Sequence, residues 1–269
     1  MYLRLTLSLL LLLPTPQAQG LDGTIGYTAR ELNCAKFSET GQSKIFTESA
    51  GRSRRQTSSR AGVWQFRATA SKEGVTLEAW LDSLSLSRRS PEAVISPDTD
   101  GLVGGRYRGM LSHSGQYTAT VLPFVPDEVS EVADMSTALD DFFPPLPPKP
   151  LKQGQVWSDS QGLTISRLPD STAAGTPLSR FQLDRRHGAE SAPTATDTLP
   201  LKLQQMTEEH GRFVWHPNFG LLSRDRTIVV ETTVPPSRTV RQTVRSRVEQ
   251  HIALRRHPIG PRCSVSGGA

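Results

Sequence analysis

The sequence predicts a mainly β protein: an antiparallel curved sheet or sheets, as incomplete barrel or barrels, with one packed α-helix near 127–143. Three observations predict it. Long stretches alternate apolar and polar residues with a period of two, the mark of strands with one buried face. Clusters of Gly, Pro, Asp and Ser punctuate those stretches as turns do. One segment, Asp127–Phe143, changes to helical spacing.

The chain opens on a single cation, Arg4, followed by the apolar run Leu5–Leu13, which is interrupted only by Thr6 and Ser8. Pro14 ends the run, and Ala18-Gln19-Gly20 supplies small residues for a peptidase. Residues 1–20 therefore read as a secretory signal peptide, with the mature chain starting at Leu21. The run is far shorter than the ~20 residues a bilayer-crossing helix needs, so no transmembrane anchor is expected. The expected location is exported, periplasmic or extracellular.

Residues 21–143 form a β-rich first half. Trp64, Phe66, Ala68 and Ala70 point one way and Gln65, Arg67 and Thr69 the other. Ser71-Lys72-Glu73-Gly74 turns the chain, and Val75, Leu77, Ala79 and Leu81 return as the second strand of a hairpin, extended by Leu84 and Leu86. Gly51–Arg60, rich in Ser and Arg, reads as a loop, and its Arg52-Ser53-Arg54-Arg55 as solvated charge or a processing site. Pro97–Gly101 is a turn-rich loop. Pro126-Asp127-Glu128 makes a helix start, and Val129, Val132, Ala133, Leu139, Phe142 and Phe143 then fall near one helical face.

Residues 144–154 are a Pro-rich connector. Five prolines between Pro144 and Pro150 bar a central strand or a helix there. Residues 155–262 form a second β half, followed by a tail at 263–269. Gln155–Ser158, Leu163–Leu168 and Leu178–Arg185 are candidate strands. Glu209-His210-Gly211 reads as a hairpin turn between Pro200–Glu208 and Arg212–His216. Thr227–Val234 and Thr239–Leu254 read as a closing hairpin about Pro235–Arg238, with Val240, Val244, Val248, Ile252 and Leu254 on one face; the valines also recur every four residues, so a helix is the alternative for the last segment, and its β-branched content favours the strand.

Composition narrows the partners. The formal net charge is +5, and arginine dominates it, Lys occurring only at 36, 44, 72, 149, 152 and 202. Such a surface suits a lipid headgroup or another anionic envelope component; a nucleic acid partner is not expected for an exported chain. Cys34 and Cys263 lie near the two ends, and an oxidising compartment permits a disulfide between them; two buried thiols are the alternative. No His pair has zinc spacing, no Cys-x-x-Cys or His-Glu-x-x-His occurs, and no Gly-x-Ser-x-Gly elbow or phosphate loop is present. Asp98-Thr99-Asp100-Gly101 lacks the later glutamate of a calcium loop. No metal, cofactor or catalytic residue is expected.

The aromatic-proline segment Phe143–Pro150, then Gly154-Gln155-Val156-Trp157, and the turn Asn218-Phe219-Gly220-Leu221 resemble the layout of a family of uncharacterised exported bacterial β-rich proteins. A long curved sheet with a helix against it also resembles the periplasmic lipoprotein-carrier fold, which implies an incomplete barrel holding acyl chains on an apolar face. The expected function is an exported, non-enzymatic protein that binds an apolar ligand or an envelope partner. The alternatives are a structural or interaction module of the envelope and a hydrolase with a dispersed site. The residues expected to line a cavity are Trp64, Phe66, Leu77, Leu81, Leu84, Leu86, Val129, Val132, Leu139 and Phe142; the same residues would make an ordinary core.

Overall fold

The computed structural model describes residues 25–191, 203–236 and 241–258. The leader 1–20, Cys263 and the tail therefore lie outside the described residues. A one-turn helix, α1 (Ala29–Leu32), leads in; Thr28 and Glu31 form a reciprocal cap on it. Then come β1 (Lys36–Ser49), β2 (Arg52–Ala70), β3 (Val75–Arg89), the two-residue β4 (Val94–Ile95), β5 (Tyr107–Leu111) and β6 (Tyr117–Val121). A second one-turn helix, α2 (Asp127–Ser130), precedes β7 (Val156–Ser158), β8 (Leu163–Ala173), β9 (Thr176–Ser191), β10 (Leu203–His216), β11 (Gly220–Val234) and β12 (Val244–Arg256).

All twelve strands belong to one open antiparallel sheet in the order β6-β5-β3-β2-β1-β12-β11-β10-β9-β8-β7, with β4 on the end of β3. The first half of the chain meanders outward from the centre to one edge. Residues 122–155 carry it to the opposite edge, and the second half meanders back until β12 pairs with β1. Of the two arrangements open to the sequence, one sheet or two half-barrels, the structure is the single sheet.

Turn chemistry sets the registers. Ser49 pairs with Arg52 across Ala50 (φ 55°) and Gly51 (φ 70°), the two-residue turn with both φ positive that matches strand twist. Gly51–Arg60 is thus turn and strand rather than loop: from Arg52 on, its alternating Ser and Arg residues form the outer half of β2, paired with β1 throughout and with β3 from Thr57. The turn expected at Glu209–Gly211 is likewise absent, and β10 runs through it. Gly211 is tolerated inside the strand because the Arg226 Cβ and the Asp225 carbonyl crowd the place of its missing side chain. The hairpin from Trp64 to Leu81 and the β11–β12 pairing form as expected, β12 starting at Val244. Pro169 in β8 sits where the register with β9 shifts, a bulge that needs no ladder donor.

The helix expected over 127–143 is corrected to the single turn α2. The apolar stripe is buried as its pattern implies: Val129, Leu139, Phe142 and Phe143 are all core. The helical period does not survive because local side chains and the sheet claim the backbone. Asp134 accepts the Ser136 amide at 2.9 Å and both neighbouring hydroxyls, an alternative to helical bonding. Arg88 donates to the Glu131 carbonyl, the Tyr107 hydroxyl to that of Met135 at 2.9 Å, Arg224 to those of Asp141 and Phe142, and the Tyr27 hydroxyl to that of Pro144 at 2.8 Å. The segment 122–155 is therefore an irregular strap pinned to one face of the sheet.

One apolar cluster lies under the strap and draws on both halves of the chain. Phe37, Trp64 and Phe66 join Phe213, Trp215 and Leu254 in it. Phe142 meets Phe37, Trp64 and Phe66 with ring centroids 5.3–5.9 Å apart, mostly edge to face, and Phe143 meets Tyr27 at 5.2 Å.

Candidate functional site

Antiparallel pairing assigns faces: directly opposed residues point the same way. On the strapped face the inner row is aromatic and aliphatic, Phe37 opposite Trp64 and Trp64 opposite Leu81. One row outward, Glu39 stands beside Leu254, Arg224 and Phe213. The next row reads Arg60, Gly41, Ile252, Arg226, Gly211 across β2, β1, β12, β11 and β10. Then comes Gln250, Ile228, Glu209, Arg185. Beyond lie Ile45, Val248 and Val230, all half-buried, at the strand ends away from the core. The face thus runs from a closed core through an ionic belt to a second apolar surface.

The belt is built by packing as well as charge. Gly41 has no Cβ, and the Arg60 side chain lies over it; a Cβ there would stand 3.9 Å from the Arg60 Nε. Arg60 pairs with Glu39, which also accepts the Trp64 indole N–H at 2.8 Å. Glu209 serves three arginines, Arg224 at 2.9 Å and Arg185 and Arg226 at 3.5 Å each. Arg226 reaches Asp141 of the strap only at 3.9 Å. Burial, and then the neighbouring Arg226 charge, bring the Arg224 guanidinium down to about 10.

Between strap residues 132–141 and this belt runs a cleft of about 350 Å³. Val132, Ala133 and Ala138 wall it from the strap beside Asp134, Thr137 and Asp141; Ile45, Ile228 and Ile252 wall it from the sheet beside serines of β1 and β2 and Gln250, and Arg60 and Arg226 line it too. That volume lies at the small end of the ~300–1,000 Å³ typical of ligand pockets.

The residues expected to line a cavity divide sharply. Trp64, Phe66, Leu77, Leu81, Leu84, Leu86, Val129, Leu139 and Phe142 form part of the packed core, and Val132 is the one of the set that borders this cleft. The ionic belt escaped the sequence reading, since Arg60 and Glu209 fell in supposed loops. The available signal was strand parity: Arg224 and Arg226 share a face with Ile228 and Val230, and Glu39 with Phe37.

The opposite face carries a broader groove of about 800 Å³ lined by short polar side chains over seven strands. His210 Nδ1 lies 2.7 Å from Asp184 there. His251 joins Thr227 Oγ1 at 3.0 Å and Glu249 at 2.9 Å, a hydroxyl–imidazole–carboxylate chain. It sits mid-sheet, where the ladders on both sides of β11 and β12 occupy the backbone. Amide pairs free to hold an oxyanion are thus lacking beside it. Such cross-strand polar pairs are ordinary sheet chemistry.

Among the described residues no group of three or more His, Cys, Asp or Glu could hold a metal ion, and no helix is long and apolar enough to cross a membrane. Cys34, at φ 62° after α1, donates its amide to the Phe66 carbonyl at 2.9 Å.

No protein-family model and no curated protein matches the sequence. Among solved structures the chain is similar to one described as lipid–protein interactions in lipovitellin, at TM-score 0.52 and 12% identity over 90% of this chain. This chain spans 27% of that one, and the likeness is one of fold. Two others are the β domain of the Bordetella autotransporter BrkA (TM-score 0.23, 10% identity, 84% of this chain and all of that one) and a Vibrio parahaemolyticus outer membrane lipoprotein-sorting protein domain (0.18, 7%, 86% and 87%). At those scores neither carries an argument.

Proposed function

We propose that the protein is an exported, non-enzymatic binder that carries an apolar or amphiphilic ligand between its strap and its sheet. The observation that carries this reading is the amphipathic cleft between residues 132–141 and the belt, whose aliphatic side chains lead outward to Ile45, Val230 and Val248. These half-buried aliphatic side chains beyond the buried charges offer an apolar track for a ligand tail that starts in the cleft. The lipid named with lipovitellin, whose fold this sheet shares, is in keeping with the reading.

Export rests on the leader, Met1–Gly20, and its test is N-terminal sequencing of protein secreted from its host; a start near Leu21 is the expected result. For the ligand, native mass spectrometry of the exported protein should show a co-purifying amphiphile. Ile252→Glu, which sets a carboxylate in the cleft wall, should release it while the protein stays folded. A ligand-free wild-type protein that no acyl-chain compound stabilises against heat would overturn the reading.

A second reading, a hydrolase on the opposite face, has the Thr227–His251–Glu249 chain in its favour. Turnover of activated esters that is lost in both Thr227→Ala and His251→Ala would support it.

A further inference from the structure

We infer that the cleft selects an anionic single-chain amphiphile, its carboxylate or phosphate seated at Arg226 and its tail laid outward over Ile228, Ile45 and Val248. This rests on the cleft reading above and adds the chemistry of the head group.

Charge balance is the first argument. The belt holds four guanidinium groups, Arg60, Arg185, Arg224 and Arg226, against two buried carboxylates, Glu39 and Glu209. Arg185, 32% exposed, shares its charge with solvent, so the surplus weighs on Arg226. Its side chain is 10% exposed, yet both its ion pairs are long, 3.5 Å to Glu209 and 3.9 Å to Asp141. A buried guanidinium with only distant partners is poorly compensated, and an anion at hydrogen-bond distance would relieve it.

Displaceability is the second. Asp141 is 65% exposed, so a ligand anion can replace it at Arg226 by sending it into solvent. The strap's other carboxylate at the cleft, Asp134, is already held by Ser136 and Thr137 and does not compete. Arg88, on β3, is turned to the Glu131 carbonyl.

Direction is the third. Inward of Arg226 the face is closed by Leu254, Arg224 and Phe213, leaving no room for a chain. Outward, β11 presents Ile228 and Val230, β12 Val248 and β1 Ile45, half-buried and contiguous. A head at Arg226 therefore sends its tail outward along β11.

Three compounds with one tail test this: oleate, monooleyl phosphate and oleyl alcohol, titrated into the ligand-stripped exported protein. Either or both anions should bind at least about tenfold more tightly than the alcohol, as a charge-assisted contact implies. Preference between the two anions identifies the head group. Arg226→Gln should reduce that advantage to near parity. Should Arg226→Gln fail to fold, Asp141→Asn decides, because it leaves every arginine in place and removes the exposed carboxylate that a ligand anion must displace, so the advantage of the anions should grow. Equal binding of all three compounds, an anion preference that survives in folded Arg226→Gln, or one unchanged in Asp141→Asn, overturns the head-group assignment and leaves the cleft reading standing. Failure of all three to bind overturns both.

Discussion

Arg224 and Glu209 meet at 2.9 Å with each side chain only 4% exposed, and the same guanidinium donates to the carbonyls of Asp141 and Phe142. One side chain thus ties β11, β10 and the strap together in the core. Removing one partner of a buried pair leaves an uncompensated charge, so Glu209→Leu is expected to cost about 3–5 kcal/mol in chemical denaturation. Glu209→Leu with Arg224→Met should cost less than the sum of the two single changes, which a double-mutant cycle measures.

Leu139 belongs to the strap but is 1% exposed within the core cluster. Leu139→Ala should cost roughly 2–5 kcal/mol. A strap that moved as a loose lid would give a smaller loss.

Alkaline pH should unfold the protein through its tyrosines. Burial raises Tyr27 and Tyr107 well above their ordinary value and pushes Tyr117 up to about 12, with the nearby Asp140 charge adding to Tyr117. A folded value above the unfolded 10 means stability fully present below pH 10 and lost as pH rises toward and beyond 12. Arg224, lowered to about 10, and Arg256, also lowered by burial, slope the other way, two groups against three. The fourth tyrosine, Tyr2, lies in the leader. Phenolate absorbance of protein starting at Leu21 should therefore stay flat through pH 10 and appear together with loss of the β signal in circular dichroism.

Gly74 has φ +149°, and a Cβ there would drive into the Leu111 carbonyl, whereas Gly175 at φ +79° faces open space. Gly175→Ala should cost about 1 kcal/mol from its left-handed backbone alone. Gly74→Ala should cost roughly 2–3 kcal/mol or more, because the β3–β5 register must shift as well.

The expected Cys34–Cys263 disulfide would close nearly the whole chain into one loop. Thiol titration of unfolded, unreduced protein should find none, and reduction should lower stability by roughly 3–5 kcal/mol.

Much of the architecture was legible locally. Period-two alternation identified the Trp64–Leu81 hairpin, the strands around Ile165 and Leu183, and the β11–β12 pair, because burying one sheet face imposes that period whatever the partner strand. The apolar residues of 127–143 were also correctly destined for burial. Their conformation was not legible: Asp134, Arg88, Tyr107 and Arg224 decide it by capturing backbone groups across long sequence separations. The union of the two halves through β1 and β12 is likewise tertiary, since no local signal names a strand's neighbour 200 residues away. The same holds for the ionic belt. Arg60, Glu209 and Arg226 look solvated one by one, and only the pairing of five strands brings them onto adjacent rows of one face beneath the strap, where burial and unequal charge turn them into a candidate site.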